Sequence, residues 1–467
     1  MATQVNDNPH TMAMARFTAA LRYEDIPVEV IRRIKLLILD ALGCGLYGAD
    51  LEWSRILQRT IGQIDHTAHC TIWGTAAKTS APHAALINGT QVQGFELDDV
   101  HRLGMLHTGA VVLPALLAIA EGDPHLSGKE FLAAAVAGYE IGPRVGMCMG
   151  SAHVAQGWHS GATVGVFAAA AASARALQLS SEQTVDALGI AGTQASGLLA
   201  AQYGSMVKRM HAGRASQSGF YGALLAKDGF TGIRNVFESR YGGYCTTFSR
   251  SPDRFDLGAL AAGLGTVWQT LNMRIKFYAC VRSNHGTLDA IRRLHDLYQF
   301  DVDEIAEIMV YASEVTTHHS GWTYAPRGVT SAQMNLSFCV ATLLLEGACF
   351  VAQFTDESVA DPARMRLAAK IRVIHDPQIT ARGAKFRHMV RIAIKLNDGR
   401  TLNATAEDEG NDESAFGTPD DVQRKFATLA GKTLHASQIQ RLRDAILDLE
   451  SISSAQSIAT LLAVAPA

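Results

Sequence analysis

The first half of the chain carries a helical pattern with an unusual stretch of small side chains. Residues 163–176 are almost entirely Ala, Gly and other apolar residues, which let neighbouring helices pack closely. Upstream, two apolar stripes run along one helix, the first with Val30 and Ile34, the second with Ile31 and Ile38. A helix that is apolar on two sides is buried between neighbours. The pattern predicts a mainly α protein with a central helix at residues 163–176.

Strand signals are confined to the later part of the chain. Residues 390–396 alternate apolar and polar side chains, and an Asn-Asp-Gly turn then leads into residues 401–405. Alternation followed by Asp-Gly is typical of a β-hairpin. Residues 308–312 and 371–374 are the companion strands that we expect beside it.

The chain of 467 residues is long enough for two or three domains. The main strand signals fall in one segment, and the helical pattern returns after it. We therefore predict two domains. A large all-helical domain is formed by both chain ends, residues 1–267 and 409–467, and a smaller α+β lid domain is inserted at residues 268–408.

The charge balance excludes several classes of partner. The chain has 41 Lys and Arg against 44 Asp and Glu, a formal net charge of −3, which gives no long-range attraction to nucleic acid or to an anionic membrane. No segment reaches the ~18 continuous apolar residues of a membrane span, and the polar N-terminus has no features of a targeting signal. We expect a cytoplasmic protein that binds neither nucleic acid nor membrane.

The seven cysteines are scattered and form no C-x-x-C pair. This spacing argues against a disulfide framework, a zinc ribbon and a cysteine-ligated iron–sulfur cluster. The chain also lacks a G-x-S-x-G elbow, a G-x-G-x-x-G after a strand and a P-loop, which argues against serine hydrolases and nucleotide-binding folds. Metal-independent chemistry is therefore favoured.

The first cluster of titratable side chains comprises Glu96, Asp98, Asp99, His101 and His107. Three carboxylates and two imidazoles beside an apolar run are costly to bury unless they pair or serve a function. A helix end with surface acids and one core histidine is the alternative. A metal site is conceivable, because Asp and His are both ligands, but no ligand spacing supports it.

Two further clusters flank the small-residue helix. His159 stands where that helix begins, and a helix N-terminus disfavours the protonated imidazole, so this side chain is available as a base. Lys208, Arg209, His211 and Arg214 follow later, framed by glycines, and suit carboxylate binding. The alternatives are a core or surface histidine and a solvated basic helix face, respectively.

A fourth cluster, Lys276, Arg282 and His285, lies at the predicted domain boundary, where ligand clefts are common. His318 and His319 are expected at the surface. Together the clusters suit proton abstraction beside a carboxylate. That reaction needs a base, cations that stabilise the developing charge, and an acid.

Several of these residues lie in stretches with a wider resemblance. The most specific are G-F-x-x-D-D at residues 94–99 with His107, Gly-Trp-His at residues 157–159, Ala-Gly-Thr-Gln at residues 191–194, and residues 208–213. Over nearly its whole length the chain resembles the MmgE/PrpD family, which includes 2-methylcitrate dehydratase, cis-aconitate decarboxylase and iminodisuccinate epimerase. The resemblance implies a helical domain built from both chain ends, a lid, a cleft between them, a homodimer and no cofactor. The site residues that it implies are Asp98, His107, His159, Lys208 and His285, with Lys276 and Arg282 close by.

Two departures from the decarboxylase-like members favour a different reaction. Those members have a tyrosine two residues after the Ser-Phe of an S-F-x-Y segment, whereas this chain has Ser337, Phe338 and Cys339 without a tyrosine. The segment between Asp99 and His107 is also longer here. Both departures argue against decarboxylation of cis-aconitate, which stays among the alternatives.

The leading hypothesis is a cofactor-independent lyase or isomerase of a small di- or tricarboxylic acid, specifically a 2-methylcitrate-dehydratase-like hydro-lyase. In this hypothesis His159 takes the proton, Lys208 with Arg209 or Arg282 holds the carboxylate, and His107, oriented by Asp98, protonates the departing hydroxyl. His285 completes the cleft, and His211, Arg214 and Lys276 assist binding. The alternatives are an amino- or imino-dicarboxylate epimerase, a cis-aconitate-type decarboxylase, a non-catalytic carboxylate-binding protein and a metal hydrolase.

Overall fold

The structure, a computed structural model, describes residues 7–251, 253–407 and 416–464. Helices account for 61% of the protein and strands for 8%, which confirms the predicted mainly α fold. Among the described residues no helix is long and apolar enough to cross a membrane. The predicted domain boundary between residues 408 and 409 lies outside the described residues.

Helices dominate the part of the chain before the sheet. They are α1 Pro9–Ala20, α2 Val28–Gly48, α3 Glu52–Gly62, α4 Ala81–Val92, α5 Thr108–Gly122, α6 Gly128–Ala155, α7 Ser160–Thr163, α8 Gly165–Ala176, α9 Ser181–Gly192, α10 Val207–Lys227, α11 Tyr244–Ser249 and α12 Gly258–Ala261. Two-residue strands form two small antiparallel pairs, β1 Cys70–Thr71 with β2 Lys78–Thr79, and β3 Val100–His101 with β4 Met273–Arg274.

The small-residue run forms the centre of this helical part, as the sequence predicts. Every residue of α8 is buried, and α8 packs against α5, α6, α9 and α10. Glycines allow equally close packing of α10 on α4. A Cβ on Gly213 would lie 2.0 Å from the carbonyl oxygen of Leu86, and one on Gly89 would lie 2.6 Å from Cα of Gly213. This contact brings the start of α10 next to the chain that follows α4.

A four-stranded sheet forms the later part of the chain, in the order β6-β5-β7-β8. Its strands are β5 Ile305–Ala312, β6 Ile371–His375, β7 Val390–Leu396 and β8 Thr401–Ala406. β7 and β8 form the predicted antiparallel hairpin, while β6 runs parallel to β5. Gly399 adopts a φ of 92° in the hairpin turn, a conformation that glycine adopts without strain.

Helices surround the sheet and close the chain. They are α13 Arg282–Tyr298, α14 Glu314–Ser320, α15 Val329–Met334, α16 Leu336–Glu346, α17 Asp356–Val359, α18 Pro362–Ala368, α19 Pro377–Ala381, α20 Pro419–Ala430, α21 Ala436–Leu447 and α22 Gln456–Leu462. α20 packs on α2, and a Cβ on Gly43 would lie 3.2 Å from Phe426. The C-terminal helices therefore pack onto the N-terminal ones.

Candidate active site

A pocket of about 110 Å³ lies where the helical part meets the sheet-containing part. Cations line it from both parts, Lys208 from the start of α10, and Lys276, Arg282 and Arg387 from the later segment. Apolar side chains line the rest, among them Val100, Met105, Leu199, Val281 and Met334. Apolar walls lower the local dielectric and strengthen the effect of the charged groups on a bound ligand.

Glu96 is the carboxylate around which the cations gather. It is 2% exposed and has a left-handed backbone with a φ of 56°, which is uncommon for a residue other than glycine. Its carboxylate accepts hydrogen bonds from Lys208, from Arg209 at 2.7 Å and from Lys276 at 3.3 Å. Burial alone would raise the pKa of Glu96, but Lys208, Lys276 and Arg209 together hold that pKa well below its usual range.

Asp98 and His107 form a second pair beside Glu96. Nδ1 of His107 lies 3.1 Å from Oδ2 of Asp98, and Nζ of Lys276 lies 3.8 Å from Oδ1. Burial would raise the pKa of Asp98, but His107 and Lys276 keep it below its usual value. An ionised Asp98 holds the His107 ring in place and stabilises a positive charge on it, as the carboxylate does in other His-carboxylate pairs.

His159 is held by a second histidine. Nδ1 of His159 and Nδ1 of His211 lie 2.9 Å apart, so one nitrogen donates to the other. Burial, followed by the charge of Lys208, lowers the pKa of His159 well below 6.5 and that of His211 to about 4. Both rings are therefore neutral near pH 7. Because Nδ1 is engaged with His211, Nε2 of His159 is the nitrogen that can exchange a proton with a ligand.

Cations outnumber carboxylates among the side chains that line the pocket. Its lining residues include four Lys and Arg side chains and one carboxylate, that of Glu96. Arg209 and Asp98 are buried just behind them. A lining of this kind suits an anionic ligand such as a polycarboxylate.

The structure places five predicted site residues in the pocket wall, namely His107, His159, Lys208, Lys276 and Arg282. Asp98, Arg209 and His211 lie behind this wall and contact its members. His285 is buried and contacts the carbonyl oxygen of Cys280 and the ring of Tyr278. Arg214 is exposed on α10 and bonds to Gln217. The structure therefore places neither His285 nor Arg214 in the pocket wall.

Four titratable pocket residues have no assigned role in the sequence interpretation: Glu96, His319, Arg387 and His388. The surface assignment is wrong for His319, which is half-buried and lines the pocket, although His318 is exposed. Burial lowers the pKa of His319 to about 4. A sequence signal existed for Arg387 and His388, since they lie shortly before a predicted strand, in a connecting segment of the kind that often carries functional side chains.

Three of the scattered cysteines converge beside this pocket. The sulfur atoms of Cys280, Cys339 and Cys349 all lie within 4.8 Å of one another, and all three residues are buried. Burial raises the pKa of Cys280 and Cys339 well above 9.0, so these two side chains are neutral thiols near pH 7. Cys339 and Phe338, the two candidates for the residue that replaces the tyrosine of decarboxylase-like members, are both absent from the lining residues.

The fold and the pocket define a class of protein, namely a mainly helical protein in which cations and histidines line a small pocket between two parts of the chain. The chain belongs to the MmgE/PrpD family. Residues 12–256 match the MmgE/PrpD N-terminal domain and residues 278–451 match the MmgE/PrpD C-terminal domain. This confirms the family expected from the sequence.

Curated relatives cover almost the whole chain. It is 36% identical to a cis-aconitate decarboxylase-like protein, oryM, of Aspergillus oryzae, over 97% of each chain. It is 33% identical to a cis-aconitate decarboxylase of Aspergillus terreus, over 97% of this chain and 95% of that one. A human cis-aconitate decarboxylase is 25% identical over 97% and 94%, respectively. These names are consistent with the expected lyase or isomerase class, in which decarboxylation is one of the alternatives.

Proposed function

We propose that this protein is a lyase that removes CO₂ from cis-aconitate or a closely related tricarboxylate. The observation that carries the proposal is a small, partly apolar pocket whose lining has four Lys and Arg side chains and one carboxylate. Tricarboxylates are anions that such a lining can bind, and the relatives at 36% and 33% identity carry the name cis-aconitate decarboxylase or a likeness to it. Decarboxylation replaces the hydro-lyase as the leading reaction, because Phe338 and Cys339 both lie outside the pocket wall and the missing tyrosine therefore bears less on the chemistry.

The reaction needs one bond broken and one proton delivered. The electron pair of the C–C bond to the departing carboxylate forms a new double bond, the existing double bond shifts, and its far carbon takes a proton. His107, held by ionised Asp98, is the group placed to give that proton. Lys208, Lys276 and Arg282 hold the two remaining carboxylates, and apolar walls favour the loss of charge from the third.

The neutral state of His159 favours a second candidate that uses the same pocket. An imidazole that stays unprotonated near pH 7 is a competent base, and abstraction of a proton beside a carboxylate begins both dehydration and epimerisation. The hydro-lyase and the epimerase of the sequence interpretation therefore remain proposals. In the decarboxylase, His159 hydrogen-bonds the substrate and fixes its orientation.

We propose further that the reaction needs no metal and that the protein acts as a homodimer. Glu96, the one carboxylate among the lining residues, is already bound by three cations, and four lining cations repel a metal ion. Treatment with a chelator is expected to leave turnover unchanged. Analytical ultracentrifugation tests the second proposal, and a mass of twice that of one chain is the expected result.

Product analysis separates the candidates. The protein is incubated with cis-aconitate, 2-methylcitrate or aspartate-derived dicarboxylates in D₂O and followed by NMR. Loss of CO₂ with one deuterium in the product supports the proposal. Loss of water without CO₂ supports the hydro-lyase, and deuterium exchange without net product supports the epimerase. Binding without any of these reactions would identify a non-catalytic carboxylate-binding protein.

A further inference from the structure

A second, larger chamber opens from the pocket toward solvent. Its volume is about 590 Å³, against about 110 Å³ for the inner pocket. Six residues line both spaces, four of them apolar: Met105, Val154, Leu199 and Val315, with His319 and Arg387. The two spaces are therefore continuous. The inner pocket alone is smaller than the roughly 300–1,000 Å³ of typical small-molecule sites, whereas the two together fall within that range.

The chemistry of the wall changes between the two spaces. Lys208, Lys276 and Arg282 line only the inner pocket, whereas Ala155, Ala200 and Tyr203 line only the outer chamber. Tyr203 is 50% exposed and Val315 is 40% exposed, so large apolar surface faces the chamber without being covered by the described residues. Exposure of apolar surface to water is unfavourable, so an apolar group of a ligand that covers this surface would bind favourably.

Charge at the outer rim argues against another carboxylate in the chamber. Glu314 lines the outer chamber but not the inner pocket, whereas Arg387 lines both spaces. A carboxylate far out in the chamber would be repelled by Glu314, and among the lining residues Arg387 at the junction is the only Lys or Arg that could offset this repulsion. An uncharged chain meets no such penalty.

We propose that the preferred substrate is a tricarboxylate that carries an apolar side chain, with its carboxylates in the inner pocket and its chain in the outer chamber. The inference rests on the proposed function, because it takes the inner pocket to be the place where the carboxylates bind. Met105, Val154, Leu199 and Val315 determine specificity at the junction, where the chain leaves the acid. Unsubstituted cis-aconitate fills the inner pocket and leaves the chamber to water.

The test compares acids that differ only in the chain. The substrates are cis-aconitate and its methyl, n-propyl and n-pentyl derivatives, substituted on either the methylene or the vinylic carbon. The non-reacting ligands are tricarballylate, which is the saturated analogue, and its matching derivatives, measured by calorimetry. Burial of each methylene is expected to improve kcat/KM and affinity about two- to fourfold in this partly open chamber, and the heat-capacity change of binding becomes more negative with chain length.

A second test compares a variant whose new side chain fills the outer chamber with a control variant that has the same substitution elsewhere. Ala200→Phe places a ring in the outer chamber, whereas Ala427→Phe, on the exposed face of α20, is the control. The gain from methyl to pentyl, about 16-fold or more in the natural protein for four added methylenes, is expected to fall by at least fivefold in Ala200→Phe. It is expected to persist in Ala427→Phe.

The outcomes distinguish this inference from the proposed function. If tricarballylate binds but chain length changes neither affinity nor kcat/KM, the chamber is only an access path and the inference is overturned. The same holds if Ala200→Phe keeps the full chain-length effect. If tricarballylate itself does not bind, the proposed function fails, whatever the chamber does.

Discussion

Replacement of Glu96 by Gln tests whether this carboxylate is the counter-ion of the pocket. The change keeps the size of the side chain but leaves Lys208, Arg209 and Lys276 without their shared negative partner. Arg209 and Lys276 are 0% and 1% exposed, so water cannot screen the charges that remain. Removal of one partner from a buried ion pair typically costs about 3–5 kcal/mol, and we expect a loss of that size here.

The corresponding change in melting temperature is small but measurable. An unfolding entropy of about 2.1 cal/mol/K per residue gives about 1 kcal/mol/K for 467 residues, so Glu96→Gln is expected to lower Tm by about 3–5 °C. Glu182→Gln is the control, because Glu182 is 65% exposed and pairs with Arg234 at the surface. Such pairs contribute about 1 kcal/mol or less, so that variant is expected to lose at most about 1 °C.

The most informative comparison is the increase in Tm that a bound ligand causes in Glu96→Gln and in the natural protein. Since Glu96→Gln adds one positive charge to the pocket, the Tm increase caused by saturating tricarballylate is expected to be larger in the variant than in the natural protein. Differential scanning calorimetry with and without tricarballylate measures both effects. An unchanged Tm in Glu96→Gln, together with an unchanged ligand-induced increase, would refute the assignment of Glu96 as the counter-ion.

Three further predictions follow from the same geometry. His159→Gln and Lys208→Ala are each expected to lower kcat/KM by about 100-fold or more. If steady-state assays show that either variant keeps kcat/KM within tenfold of the natural protein, the placement of that residue beside the substrate is contradicted. His211→Ala is expected to lower kcat about tenfold with little change in KM, because His211 positions His159 without touching the ligand. His211→Asn is expected to restore part of kcat. Equal losses of kcat in both variants would indicate that His211 has a structural role only. Burial and Asp98 raise the pKa of Asp99 to about 8, so the folded protein keeps a proton that the unfolded chain releases near pH 4. The contribution of Asp99 to stability therefore falls as pH rises from about 4 through 8, and Asp99→Asn should flatten the dependence of Tm on pH in that window, whereas an unaltered slope would show that Asp99 does not titrate there.

Much of the architecture could be predicted because it depends on local pattern. The small-residue run of α8, the hairpin of β7 and β8 and its companion strands all show in the periodicity of apolar residues, since helices repeat every 3.6 residues and strands every two. The family motifs likewise indicated His107, His159 and Lys208. The family that these motifs indicate also implies a fold, and that fold places the three side chains in one pocket wall.

Other site residues could not be assigned, because sequence spacing does not show which charges meet. Glu96 was one of three neighbouring acids, yet it is the one that faces Lys208 and Lys276, 112 and 180 residues away. Arg214 belongs to the same basic run as Lys208, but helical rotation places Arg214 at the surface. His319 looked like half of an exposed pair, and packing of α14 turns it into the pocket.

By itself, the sequence determined the family, the mainly α class and a shortlist of histidines and cations, because these depend on residue type and short-range periodicity. Only the tertiary structure decided which of those side chains share one pocket, which of them are neutral and where the apolar chamber opens. The physical reason is that electrostatic and apolar interactions act through space. Close packing of α10 on α4, which two glycines permit, brings Lys208 against Glu96 and so creates the charge of the site.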